Sequence, residues 1–291
     1  MMNRFSLKAP RALLVALFSG MMILSMSSAV HAAAHGGSAL FKKFPAPVDP
    51  ATFSEDYVPT VFITGSNRGL GLEFARQYAE RGWNVIATAR KPEQADDLNA
   101  LAAEYSTIVV EQLDVTDFAR VDELAAKYAD TPIDLLLNNA GIGGGSSNQY
   151  FLDMQWDVWR KVLEVNTLAP VKITEAFYPH VIASRDKKIV TVSSSEGSIA
   201  GATQPRLYFY RSSKAALNMT MKNIALALKR KGVSVGMVNP GATDTDFMAG
   251  LPKKMLRPTP DAVTDMMRNI DGLTPETTGA FLQYDGTTIP W

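Results

Sequence analysis

The chain has 291 residues, 46% of them apolar and 20% charged, enough to bury a substantial core in one large domain or two small ones and unlike a disordered segment. Lys+Arg and Asp+Glu both number 29, so no basic excess draws the chain to nucleic acid. Cysteine is absent, which removes disulfides, thiol nucleophiles and thiolate metal ligands; with only His31, His35 and His180, a multi-histidine zinc centre or a Ser-His-Asp hydrolase would have one histidine left outside the N-terminal region.

Residues 1–32 have the layout of an export signal. Arg4, Lys8 and Arg11 precede an apolar run from about Ala12 to Met26, and Val30-His31-Ala32 resembles a small-residue cleavage site. An exported, periplasmic domain is therefore expected; the alternatives are an inner-membrane anchor, the chain's one route to a membrane, and a cytoplasmic protein. Residues 33–57 mix Ala, Gly, Pro and Lys without periodicity and read as a flexible linker. The folded domain is expected over 58–291.

From Pro59 onward short apolar runs alternate with helical periodicity. Strands are expected at Val61–Ile63, Trp83–Thr88, Thr107–Leu113, Ile133–Leu137, Lys188–Val192 and Val233–Val238. Helices are expected over 70–81, 92–104, 118–129, 153–168, 170–184 and 208–231. This βαβα rhythm specifies an α/β fold, a doubly wound parallel sheet in a single Rossmann-like domain. Residues 247–275, with Pro252, Pro258 and Pro260, read as an irregular lid or surface excursion.

The first strand–helix junction carries Thr64-Gly65-Ser66-Asn67-Arg68-Gly69-Leu70-Gly71. Glycines there permit a tight turn and close approach to a pyrophosphate, and the helix N-terminus offers free N–H groups and a positive dipole. Farther on, Tyr210 and Lys214 lie four residues apart on one helix face, where an ammonium is expected to favour the phenolate and lower the tyrosine pKa. A phenol so tuned can donate a proton to a substrate oxygen.

TGSNRGLG, Leu113-Asp114-Val115, Asn138-Asn139-Ala140-Gly141, Asn166, the serines after the fifth strand, Tyr210-xxx-Lys214 and Pro240-Gly241 occur in that order. Together they resemble the short-chain dehydrogenase/reductase family from about residue 60 onward. The ending GAFLQYDGTTIPW and the run YRSSKAALNM resemble its C-factor and Sniffer-type carbonyl reductase branch.

The resemblance implies roles. Tyr210 would be the general acid, and Lys214 would tune it and hold the nicotinamide ribose. Ser194, three residues before Gly197, would hold the substrate oxygen, with Ser193 and Ser195 as neighbours one step away. Asn166 would anchor a water leading to Lys214, a role compatible with satisfying kinked helical backbone. Gly65 to Gly71 would hold the cofactor phosphates; Asp114 and Val115 would meet the adenine; Asn139, Ala140 and Gly141 would line the cofactor, unless Asn138 and Asn139 only link strands. Pro240, Gly241, Thr243 and Thr245 would hold the nicotinamide and pyrophosphate side. Ala89 stands where an acid would accept the ribose hydroxyls of NAD, whereas Arg90 and Arg68 can pair with a 2′-phosphate, so NADP(H) is expected ahead of NAD(H).

The expected activity is reduction of an aldehyde or ketone to an alcohol without a metal. The substrate partner is a small carbonyl or alcohol molecule, and helices 170–184 and 208–231 offer faces for a homodimer. An NAD-linked alcohol dehydrogenase and a non-catalytic nucleotide-binding signalling protein are the alternatives.

Overall fold

The computed structural model describes residues 46–291. The export signal expected over 1–32 lies outside the described residues, as does the first part of the linker expected over 33–57. Within 46–57 the chain is held against the domain. Val48 N–H donates to Ile182 O at 3.2 Å, and the Tyr57 hydroxyl donates to Asp134 Oδ2 at 2.7 Å. Arg185 lies over the Tyr57 ring. Asp134 is wholly buried and also accepts from the N–H groups of Thr60, Arg185 and Asp186, which compensates its charge.

The main sheet contains β1 (Thr60–Ile63), β2 (Asn84–Ala89), β3 (Ile108–Gln112), β4 (Leu135–Asn138), β7 (Lys188–Val192), β8 (Ser234–Asn239) and β9 (Ala280–Gln283). Its seven strands are parallel in the order β3-β2-β1-β4-β7-β8-β9. Val61 is paired with Val85 on one side and Leu135 on the other. β1, β4 and β8 are buried at every position, as strands covered on both faces must be. A short antiparallel hairpin, β5 (Gln149–Tyr150) and β6 (Asp153–Met154), stands apart from the sheet.

One face is covered by α1 (Gly69–Glu80), α2 (Asp96–Glu104) and α7 (Thr259–Asp271), through Phe74, Tyr78, Leu98, Leu101, Met266 and Ile270. The other elements are α3 (Phe118–Lys127), α4 (Trp156–Leu163), α5 (Ala169–Ile182) and α6 (Tyr208–Leu228). They bury Val121, Leu124, Val162, Phe177, Val181, Leu217 and Met221. Strand order reverses between β1 and β4. The loops leaving their carboxyl ends therefore diverge to opposite faces and open the crevice in which such sheets bind ligands.

Three departures from the sequence reading have simple causes. Residues 247–275 are not irregular throughout: α7 starts directly after Pro258, and Pro260 sits in its first turn, where its missing N–H breaks no intrahelical bond. Val263, Met266, Met267 and Ile270 then keep a buried stripe. The stretches 153–168 and 170–184 are one path, with a π-helical segment, Glu164–Leu168, joining α4 to α5. The sheet gains a seventh strand, β9, because Gly279 and Gly286 bracket a run that holds Phe281 fully buried.

Candidate active site

The glycine turn follows from backbone geometry. Gly65 and Gly69 have φ of 69° and 55°, a region that disfavours side chains. A Cβ on Gly71 would lie 2.1 Å from Gly65 O and 2.6 Å from Asn139 Nδ2, so the first turn of α1 can press against the loop only without one. Asn139 fastens the same loop, its Nδ2 donating to Thr64 O at 2.9 Å and Gly65 O at 3.0 Å. Thr64 Oγ1 accepts from the N–H groups of Asn139 and Ala140, both at 3.0 Å. The result is a glycine-rich turn at the N-terminus of a 12-residue helix, where main chain can approach a ligand closely, which suits a dinucleotide pyrophosphate. We predict that Gly71→Ala lowers unfolding free energy by ~3 kcal/mol, because the added methyl meets main chain that cannot swing aside. Urea titration of both proteins measures the difference.

Beyond the carboxyl ends of β7 and β8 the polar groups converge. The Ser194 hydroxyl lies beside the Tyr210 phenol, near enough to favour its ionised form. Ser194 caps a 3-10 turn, its Oγ accepting from Glu196 N–H at 3.2 Å. Ser193 is buried and donates to Asn218 Oδ1 at 2.6 Å, while Ser195 is exposed, so Ser194 is the member of the triple serine set against the tyrosine. Gly197 has no room for a Cβ, which would lie 2.9 Å from both Lys214 Cβ and Asn218 Nδ2. Lys214 is buried, donates to Val192 O at 2.8 Å, and has Nζ 5.7 Å from the Tyr210 ring centroid.

The family model described as short chain dehydrogenase matches residues 59–256. The chain belongs to the short-chain dehydrogenase family. An uncharacterized oxidoreductase of Schizosaccharomyces pombe is 35% identical over 248 residues, 79% of this chain and 97% of that protein. Among solved structures, carbonyl reductase Sniffer of D. melanogaster aligns with a TM-score of 0.74 and 28% identity, covering 81% of this chain and all of that one. An NADPH-bound carbonyl reductase from chicken fatty liver aligns with a TM-score of 0.73 and 28% identity, covering 80% of this chain and 99% of that one.

For this family member, one electrostatic expectation is overturned. Lys214 does not depress Tyr210. Burial pushes the phenol up to about 12, the Ser194 hydroxyl opposing and the Glu196 charge adding to the rise. Burial also pushes the Lys214 ammonium down to about 8. Desolvation outweighs mutual attraction because the ammonium points at a main-chain carbonyl and not at the phenol oxygen.

The remaining expected residues divide by what they touch. Ser66 is fully buried, its Oγ donating to Ile63 O, and Leu70 packs on the core, so both side chains build the turn. Asn67 and Arg68 are exposed, and Arg68 is paired with Asp246 at 2.8 Å on the surface. Arg90 is exposed, without an ion-pair partner among the described residues. Asp114 and Val115 are half-buried. Burial alone would raise the Asp114 carboxyl, but hydrogen bonds from Thr116 and the charges of Lys161 and Arg90 bring it below the usual range. Gly141 passes close to the Asn166 amide and the Lys214 ammonium: a Cβ there would be 3.4 Å from Asn166 Oδ1 and 3.7 Å from Lys214 Nζ.

Asn166 is fully buried in the π segment. Its Oδ1 accepts from Ile142 N–H at 2.9 Å and its Nδ2 donates to Ile142 O at 2.8 Å, which pins the loop after β4. Pro240 O accepts from Arg257 Nη1, and Gly241, with φ of 75°, lies under the Tyr284 ring. Thr243 Oγ1 donates to Gly241 O, and Thr245 packs its methyl toward Gly69.

Two residues near the site were not foreseen. Gln149, nearly buried, donates to Gly143 O and Gly145 O and accepts from Phe209 N–H, tying the glycine-rich loop to the start of α6. Phe247 lays its ring 5.2 Å from that of Tyr210, which makes the cleft apolar on that side. Neither carried a signal in the sequence, since Gln149 reaches α6 through Phe209, 60 residues on, and Phe247 meets the ring of Tyr210.

Proposed function

We propose that this protein reduces an aldehyde or ketone to an alcohol with NADPH. The observation that carries the reading is the Ser194 hydroxyl set beside the Tyr210 phenol, with the Lys214 ammonium 5.7 Å from the tyrosine ring centroid and a glycine cradle that suits a dinucleotide. The cofactor supplies the hydride. Ser194 holds the carbonyl oxygen and Tyr210 delivers the proton to it. A phenol at about 12 is still a competent acid here, because the alkoxide left by hydride addition is far more basic than a phenolate. Lys214 replaces charge near the phenol as its proton leaves. The Asn166 amide is committed to Ile142 and Ser213, so a water serving Lys214 would rest on its main-chain carbonyl.

Two lines support NADPH over NADH: Arg90 is exposed at the end of β2 with no ion-pair partner among the described residues, where Ala89 supplies no acid, and the chicken relative is NADPH-bound. Oxidation of NADPH against a panel of aldehydes and ketones tests the activity; a flat panel despite tight cofactor binding ends the proposal. For the cofactor, Arg90→Ala should weaken NADPH binding by roughly 10- to 100-fold, the worth of a charge-assisted hydrogen bond, and leave NADH binding unchanged. Equal affinity losses for both cofactors in that variant would remove Arg90 from phosphate recognition.

A further inference from the structure

Ser194 and Tyr210 come from separate elements, the turn after β7 and the first turn of α6, with residues 195–207 looping between them. One ion cluster joins the two where their separation is decided. Glu196 stands two residues past Ser194, and its main-chain N–H donates to Ser194 Oγ. Its carboxylate accepts from Arg211 Nε and, at 2.6 Å, from Arg206 Nη2. Arg211 follows Tyr210 directly, and its Nη1 donates to Gln204 O in the intervening loop. The Glu196 and Arg211 side chains are only 21% and 17% exposed, so the pair is far less screened than a surface bridge. A hollow of about 300 Å³ beside it is lined by Ser195, Thr203, Arg206 and Ile289 along with the pair itself.

We infer that Glu196 and Arg211 are positioning residues that set the distance between Ser194 and Tyr210, with Arg206 holding the far side of the carboxylate. This rests on the reading of Ser194 and Tyr210 as the reacting pair. The geometry gives the cluster two independent grips. Through Glu196 it orients the turn whose N-cap is Ser194; through Arg211 it fixes the rotation of α6 that presents Tyr210. Leu207 at the N-cap of α6 makes no side-chain cap and adopts the left-handed conformation, with φ of 51°; Gln149 holds Phe209 N–H and Asn166 holds Ser213 Oγ, on residues of α6 other than Tyr210 and Arg211. The start of the helix is therefore strained on its own and depends on neighbours for its place.

The test uses the full-length protein as wild type, Glu196→Gln, Arg211→Gln, Arg211→Lys and, as a remote control, Arg76→Gln, which loses ion pairs to Glu73 and Glu80 on α1. Expected are an NADPH dissociation constant within about twofold of wild type and a kcat lower by about 10- to 100-fold in Glu196→Gln and Arg211→Gln, the scale of a small misplacement of reacting groups. Arg211→Lys, which keeps the charge, should recover part of that loss, and Arg76→Gln should lose nothing. The tyrosine 13Cζ resonance of Tyr210, assigned with Tyr210→Phe, should move in the two Gln variants and stay in place in the control. A kcat within twofold of wild type in both Gln variants, or an unmoved resonance, overturns the inference. So does a loss that follows weakened NADPH binding. A wild type that turns over no carbonyl sinks the functional reading instead, and the resonance still decides on the clamp.

Discussion

Tyr210→Phe is expected to lower kcat for carbonyl reduction by about 10³-fold while leaving NADPH binding within a few-fold of wild type, since a positioned general acid contributes 10²–10⁴. The substitution removes one oxygen and little else. The ring keeps its packing against Phe247, and Ser194 keeps its bond from Glu196 N–H. What is lost is the proton donor and one of the two hydroxyls that hold the substrate oxygen. Ser194→Ala should cost less, about 10²-fold, because the phenol can still meet the oxygen but is no longer aligned. The double variant should fall no further than Tyr210→Phe by more than a few-fold, since groups acting as a unit are not additive. Steady-state kinetics with one good aldehyde settles all three. Turnover within tenfold of wild type in Tyr210→Phe would move the acid elsewhere.

The parts of this molecule legible in the sequence are those where local pattern and tertiary outcome agree. β1, β4 and β8 are buried throughout and mostly apolar because both faces are covered, and Gly71 in the first turn is required by main-chain contacts a Cβ would violate. α7 was hidden because Pro258 and Pro260 look like breakers until their place before and within the first turn is known. The distance to Gly197 singled out Ser194 from the triple serine, but what occupies Ser193 was not legible, because its partner Asn218 is 25 residues away. The Tyr210–Lys214 electrostatics were misjudged for a related reason. Spacing places the two groups on one face, but burial and the direction of the ammonium decide the pKa values, and neither is written in spacing.

Lys214→Met is expected to abolish turnover, by about 10³-fold, and yet to make the protein more stable at neutral pH. The sign follows from the depressed ammonium. In the unfolded chain the lysine binds its proton up to about 10.5, but in the folded protein only up to about 8. Below pH 8 both states are charged, and folding carries the full cost of burying the ammonium, ~3 kcal/mol at 1.36 kcal/mol for each tenfold step in proton affinity. Between pH 8 and 10.5 the folded state binds fewer protons than the unfolded one, so wild-type stability climbs with pH until the cost is gone. Methionine fills a similar volume without a charge, but leaves Val192 O without its Lys214 partner, a loss of ~1 kcal/mol. The net gain at pH 7 is ~2 kcal/mol, roughly 4–8 °C in Tm for a domain of this size. That advantage should shrink as pH rises past 8 and reverse near 10.5. Thermal melts of both proteins from pH 6 to 10.5 provide the check. A variant less stable than wild type at pH 7, or a difference that does not change with pH, would mean that the buried ammonium is not the cost assigned to it.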